Sequence, residues 1–193
     1  MAHNNIEIEI KVKVEQIATL KDFLHAHGKF QGEKRQVDEY FSPDHGDYMS
    51  VRPVNEWLRL REANGRFSLD YKLWHRDKNG QSEFCDEIET GIDSIEQARK
   101  ILQALHFHSI ATVDKVRSAW IYEEYEVAID EVKDLGIFVE VEYIGKDINI
   151  DAQKVVSEMI AFLKSTACGK IAKANTGYPM LLLFPEEAVY QEI

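Results

Sequence analysis

Residues 7–11 read Glu7-Ile8-Glu9-Ile10-Lys11, and the alternation continues through Val12 and Lys13. Successive side chains of a β-strand point to opposite faces. Ile6, Ile8, Ile10 and Val12 therefore share one face, fit for a core, while Glu7, Glu9, Lys11 and Lys13 share the other. Two carboxylates and an ammonium on one side of a strand form either a wetted surface or the lining of a cavity, and the rest of the chain decides between them.

The same period of two runs from roughly 5–13 and returns at 35–41, 57–63, 67–74, 82–89, 112–121, 123–130 and 137–143, mostly across short turns. Strands joined in that way pair antiparallel. Three helices interrupt them. Ile17, Leu20, Leu24 and His27 fall at helical spacing between about Val14 and His27, ahead of Gly28. Ile95, Ala98, Ile101, Leu102 and Leu105 form an apolar stripe after Asp93 and Ser94. Val155, Val156, Met159, Ile160 and Leu163 form another between Asp151 and Gly169. The second and third helices start at polar capping residues.

The chain has 193 residues, 45% of them hydrophobic, enough to bury one full core, and no Pro/Gly/Ser-rich linker or low-complexity stretch divides it. Residues 1–193 are therefore expected to form a single domain. A net charge of −11 offers no broad positive field for nucleic acid or an anionic membrane, although a small anion in a local basic pocket remains open. Cys85 and Cys168 are the two cysteines, and no secretory signal or membrane-spanning apolar run is visible. Those features fit a reducing, cytoplasmic setting.

What stands opposite the apolar residues is charge sorted by strand. Glu7 with Glu9, Glu87 with Glu89 and Glu140 with Glu142 are acidic pairs, whereas Arg59 with Arg61 and Lys115 with Arg117 are basic pairs; Lys72 shares a face with Asp70. A sheet that wets one face explains alternation by itself. It does not explain why like charges sit together, which costs stability in water. A lined interior holding a metal ion and a polyphosphate explains both kinds of pair. Hard cations such as Mg²⁺ and Mn²⁺ sit between one or two carboxylates and substrate phosphates, and guanidinium and ammonium groups grip phosphate oxygens.

The motifs occur in an order that resembles the CYTH family of triphosphate tunnel metalloenzymes, which includes class IV adenylyl cyclases and thiamine triphosphatases. The opening E-x-E-x-K is Glu7-Ile8-Glu9-Ile10-Lys11. There follow Asp38-Glu39-Tyr40-Phe41, Trp57-Leu58-Arg59-Leu60-Arg61-Glu62, Tyr71-Lys72, Glu87-Ile88-Glu89, Lys115-Val116-Arg117, Ala128-Ile129-Asp130 and Leu135-Gly136-Ile137-Phe138-Val139-Glu140-Val141-Glu142. The resemblance implies an α+β fold: an eight-stranded antiparallel β-barrel, the triphosphate tunnel, with helices packed outside. It further implies Mg²⁺ or Mn²⁺ held by Glu7, Glu9 and Glu142, with Asp130 and Glu140 as nearby carboxylates. Lys11, Arg59, Arg61, Lys72, Lys115 and Arg117 become phosphate contacts, Glu87 and Glu89 further tunnel acids, and Lys11 with Glu9 the catalytic candidates.

The chain departs from the pattern at two places. Cys85 stands where many members carry Arg or Lys, and the His-Phe pair of well-studied class IV cyclases is replaced by Met1 and Ala2. The expected reaction is therefore hydrolysis of inorganic or thiamine triphosphate, with conversion of ATP to cyclic AMP as the alternative. A noncatalytic polyphosphate or nucleotide binder is a second alternative. Trp57 has two readings: a strand-end packing residue, or an aromatic face for a thiazolium ring. The Ser82-Glu83-Phe84 segment looks more like the bacterial and archaeal cyclase-like branch. Tyr178 is expected to pack onto the barrel, and the apolar 180–184 segment suits a docking strand or a homodimer contact.

Overall fold

Isoleucine and valine on alternate positions make Glu9–Val14 a strand, β1, with Ile10 and Val12 fully buried. A computed structural model describes residues 8–76, 82–145 and 151–193, without the side chains of 76 and 82–84. Glu7, Met1, Ala2 and the Ser82-Glu83-Phe84 side chains lie outside the described residues. After β1 come α1 (Ile17–His27), β2 (Lys29–Pro43), β3 (Glu56–Ala63), β4 (Arg66–Arg76), β5 (Ser82–Ile92) and α2 (Ile95–Ala104). The chain continues with β6 (Phe107–Tyr122), β7 (Tyr125–Val132), β8 (Gly136–Tyr143), α3 (Ala152–Ser165), β9 (Ile171–Ala174), α4 (Tyr178–Leu183) and β10 (Tyr190–Glu192).

The hydrogen-bonded strand order is β10-β9-β1-β8-β7-β6-β2-β3-β4-β5; the run from β10 to β6 and the run from β2 to β5 are antiparallel. The fold is α+β, as expected. Its eight long strands are the eight read from the sequence, but the tail adds β9 and β10. Val12, Lys13 and Val14 of β1 pair with β9, so that stretch of the β1 edge is taken by the tail, and the ring expected to close among eight strands is an open order of ten among the described residues.

Two compact units are built from these strands. Of the described residues, those within 35–114 form a middle unit and those within 8–34 and 115–193 a terminal unit; β2 and β6 contribute residues to both. In the terminal unit, Leu20 and Leu24 of α1 and Val155, Met159 and Leu163 of α3 pack with Ile10, Val12, Val127, Ile129, Val139 and Val141. Each such side chain stabilises the unit by about 1.5–3 kcal/mol. Gly28 ends α1 where a Cβ would lie 3.3 Å from the Trp120 Cβ and 2.9 Å from the Leu24 carbonyl, so a larger residue would push the helix off its strand. In the middle unit Leu102 of α2 packs on Phe41, Leu58 and Leu60.

Local signals account for the boundaries. The Ser94 hydroxyl accepts from the Gln97 amide and caps α2, and Asp151 accepts from the Gln153 and Lys154 amides and caps α3. Asn64 and Gly65, at φ 52° and 71°, make the two-residue turn that pairs Ala63 with Arg66. The apolar tail is a helix rather than a docking strand: Pro179 sits in the first turn of α4, and Tyr178, Pro179, Met180 and Leu181 are buried. Among the described residues no helix is long and apolar enough to cross a membrane.

Candidate functional site

Register turns the charge pattern into two clusters, one in each unit. In the terminal unit β1, β8, β7 and β6 are neighbours, and the polar face of each carries charge. Glu9 pairs with Glu142, Lys11 with Glu140, Glu126 with Glu142 and Arg117 with Asp130. The Lys11 ammonium stands 3.0 Å from Glu140, whose carboxylate also accepts from the Arg117 guanidinium. Asp130 is fully buried. It accepts from Lys115 at 2.8 Å, from Arg117 Nε and Nη2 at 2.7 Å each, and from the Tyr178 hydroxyl at 2.9 Å.

This cluster shows why two cations two residues apart do not repel each other off the strand. Asp130 lies between Lys115 and Arg117 and shares its charge with both. Burial opposes ionisation of Asp130, but the Arg117 hydrogen bonds and the Lys115 charge hold its carboxyl below the usual range. Burial also opposes the Glu140 charge, yet Lys11, Lys115 and Arg117 keep its carboxyl well below the ordinary value. Burial lowers the Lys115 ammonium, against the pull of Glu140 and Asp130. Arg117 is raised above its ordinary value, because Glu140 and Asp130 outweigh its desolvation.

The middle unit repeats the device on β2, β3 and β4. Arg61 donates to Asp38 through Nε and Nη2 at 2.7 and 2.9 Å, and Arg59 Nε donates to Asp70 at 2.8 Å. Asp38 and Asp70 are buried, and Gln36 donates to Asp38 at 3.0 Å. Burial works against the Arg59 charge, but Tyr40, Asp38 and Asp70 together hold it above the ordinary range. Lys72 stands 3.3 Å from Glu87, its register partner on β5, and Glu89 pairs with Asp70. Trp57 occupies the same face of β3 as Arg59, its ring 5.6 Å from Tyr40 in an edge-to-face contact at 82°. Cys85, 3% exposed, points its Sγ at the Asp86 carbonyl at 3.6 Å.

The structure thus brings Glu9, Lys11, Lys115, Arg117, Asp130, Glu140 and Glu142 into one cluster and Arg59, Arg61 and Lys72 into another. Glu7 lies outside the described residues. Among those residues no three His, Cys, Asp or Glu side chains converge as a ready-made metal cage. The chemistry of the donors still fits a hard cation: Glu9 and Glu142 are direct cross-strand partners, and Mg²⁺ binds through one or two carboxylates, several waters and substrate phosphates. Glu126, Asp38, Asp70 and Tyr178 were not singled out as site residues from sequence. The Asn64-Gly65 turn could have found Asp70, because a two-residue hairpin places it opposite Arg59.

The CYTH domain family matches residues 5–178. A Methanocaldococcus jannaschii protein provisionally named an adenylate cyclase is 36% identical over 166 residues, covering 86% of this chain and 91% of its own. A Pyrococcus horikoshii protein of solved structure shares the fold with a TM-score of 0.74 at 24% identity, over 92% of this chain and 98% of that one. A Hippeastrum protein, described as an adenylyl cyclase candidate with a dominant triphosphatase activity, has a TM-score of 0.68 at 20% identity, over 95% and 100% of the two chains. With a match that spans nearly its whole length and a register that assembles the family's charged motifs, the chain belongs to the CYTH family.

Proposed function

We propose that the chain is a divalent-metal-dependent enzyme that hydrolyses a triphosphate, inorganic or thiamine triphosphate. The observation that carries this reading is the terminal cluster, in which the Glu9 and Glu142 pair adjoins a cationic array of Lys11, Lys115 and Arg117. Members of the family are typically metal-dependent enzymes. Glu9 and Glu142, with Glu7, are the carboxylates for Mg²⁺ or Mn²⁺, which when bound would neutralise phosphate charge and order water. For Asp130 and Glu140, which the resemblance places as carboxylates beside the metal, we infer an anchoring role, because their oxygens accept from Lys11, Lys115, Arg117 and Tyr178.

Lys11, Lys115 and Arg117 then hold phosphate oxygens and oppose the charge that builds on them as the P–O bond breaks and water attacks. Their anchors are in place before substrate arrives, so little reorganisation is needed. Arg59, Arg61 and Lys72 are proposed as phosphate contacts of the middle unit on the same grounds. The cyclase reading draws its support from the name of the 36% identical relative. It begins from the same bound triphosphate, with a ribose 3′-hydroxyl attacking the α-phosphate. The test is Glu9→Gln with Mg²⁺ titrated. An enzyme of this kind loses metal-dependent turnover, whereas unchanged turnover would refute the metal assignment, and triphosphate binding without turnover in the parent chain would make it a binding module.

A further inference from the structure

Lys11 and Asp130 lie on β1 and β7, with β8 between them in the strand order, and one side chain touches both. Tyr178, the first residue of α4, donates from its hydroxyl to Asp130 Oδ2 at 2.9 Å. The Lys11 ammonium stands over its ring at 4.1 Å from the centroid, and the Lys115 ammonium stands 4.9 Å from the same centroid. Phe138 meets the ring edge-on at 5.2 Å, and the side chain is 4% exposed. Burial, with the charges of Glu140 and Asp130, raises the phenol's pKa, so the hydroxyl stays a donor.

A tyrosine that served only to fasten the tail would need neither contact. Pro179, Met180 and Leu181 are already buried beside it. An ammonium held between a ring face and the Glu140 carboxylate has lost much of its freedom of direction, and a carboxylate fixed by a phenol cannot swing with the two cations it carries. Both losses of freedom act on groups proposed above to meet phosphate.

We propose that Tyr178 is a positioning residue: its ring orients Lys11 and its hydroxyl fixes Asp130, so the tail helix sets the geometry of the cation cluster. The proposal rests on the reading of that cluster as a triphosphate site. Tyr178→Phe keeps the ring and removes the hydroxyl; Tyr178→Leu removes both. With inorganic triphosphate and Mg²⁺, at a temperature where circular dichroism shows all three proteins folded, Tyr178→Leu lowers kcat about 3- to 30-fold with little change in KM. Tyr178→Phe, which keeps the ring over Lys11, recovers most of the loss and keeps a smaller deficit from the missing hydroxyl.

Equal kcat in all three proteins, with only the melting temperature lowered, would overturn the proposal and leave Tyr178 a fastener of the tail. If the parent chain turns over no triphosphate, the functional reading has failed, and the positioning is read from calorimetric Kd for inorganic triphosphate. Binding weakened by Leu and restored by Phe supports it; the same Kd in all three overturns it.

Discussion

Asp130 and Arg117 are direct partners on β7 and β6, joined by hydrogen bonds of 2.7 Å from Nε and Nη2. The carboxylate is fully buried and also receives Lys115. Its presence turns a repulsive pair of cations into a fixed array.

Removing that charge should therefore destabilise the terminal unit. Asp130→Asn keeps the volume but leaves the buried Lys115 and the half-buried Arg117 short of a counter-charge, at a cost of about 3–5 kcal/mol. Urea unfolding at neutral pH measures it. A change below about 1 kcal/mol would mean that Asp130 does not hold the cluster together.

The pH dependence has a definite sign. Asp130 and Glu140 have carboxyls depressed below ordinary values of 3.8 and 4.5. Between the folded and unfolded values the unfolded chain binds more protons, so their stabilisation is complete above the unfolded values and is lost as pH falls through the folded ones. Lys115, lowered from 10.5, also leaves the unfolded chain with more protons at alkaline pH, and deprotonation there relieves its buried charge. Unfolding free energy measured from pH 3 to 6 should fall steeply only below the ordinary carboxylate range and with proton uptake; in Asp130→Asn the slope should flatten. A steep loss between pH 6 and 5 would contradict this attribution.

Arg59 donates Nε to Asp70 with Nη1 3.4 Å from the Tyr40 hydroxyl. Lysine keeps the charge without the planar fork, so Arg59→Lys should raise KM for triphosphate about tenfold while the fold persists. Steady-state kinetics with circular dichroism checks both. An unchanged KM would remove Arg59 from the list of phosphate contacts.

Trp57 presents a ring held by Tyr40 on the polar face of β3. If it receives a thiazolium, Trp57→Ala weakens thiamine triphosphate hydrolysis by about 0.5–2 kcal/mol in kcat/KM and leaves inorganic triphosphate untouched. Equal losses on both substrates would make it a packing residue.

Much of this was legible in the chain because alternation is local. The charged faces at Glu9 and Lys11, Arg59 and Arg61, and Lys115 and Arg117 follow from period two, and the caps Ser94 and Asp151 mark α2 and α3. Less visible were pairings between distant segments. Nothing near Val12 announces that residues 171–174 will pair with it, and so the open ten-strand order was hidden. The starts of β2 at Lys29 and β6 at Phe107 were read too late because their first residues are largely exposed and carry no clean apolar alternation. Which cations meet Asp130 and Glu140 was also hidden, because sequence lists charges without saying which neighbour neutralises each. The division into two compact units leaves no trace in composition, because β2 and β6 run through both without a linker.

Product identification tests the central claim most directly. Purified protein is incubated separately with inorganic triphosphate, thiamine triphosphate and ATP, with Mg²⁺ or Mn²⁺ and with a chelator, and the products are separated by anion exchange. Metal-dependent release of orthophosphate with the matching diphosphate is the predicted result; cyclic AMP with pyrophosphate from ATP would make the chain a cyclase, and no metal-dependent product from any of the three would contradict triphosphate chemistry altogether.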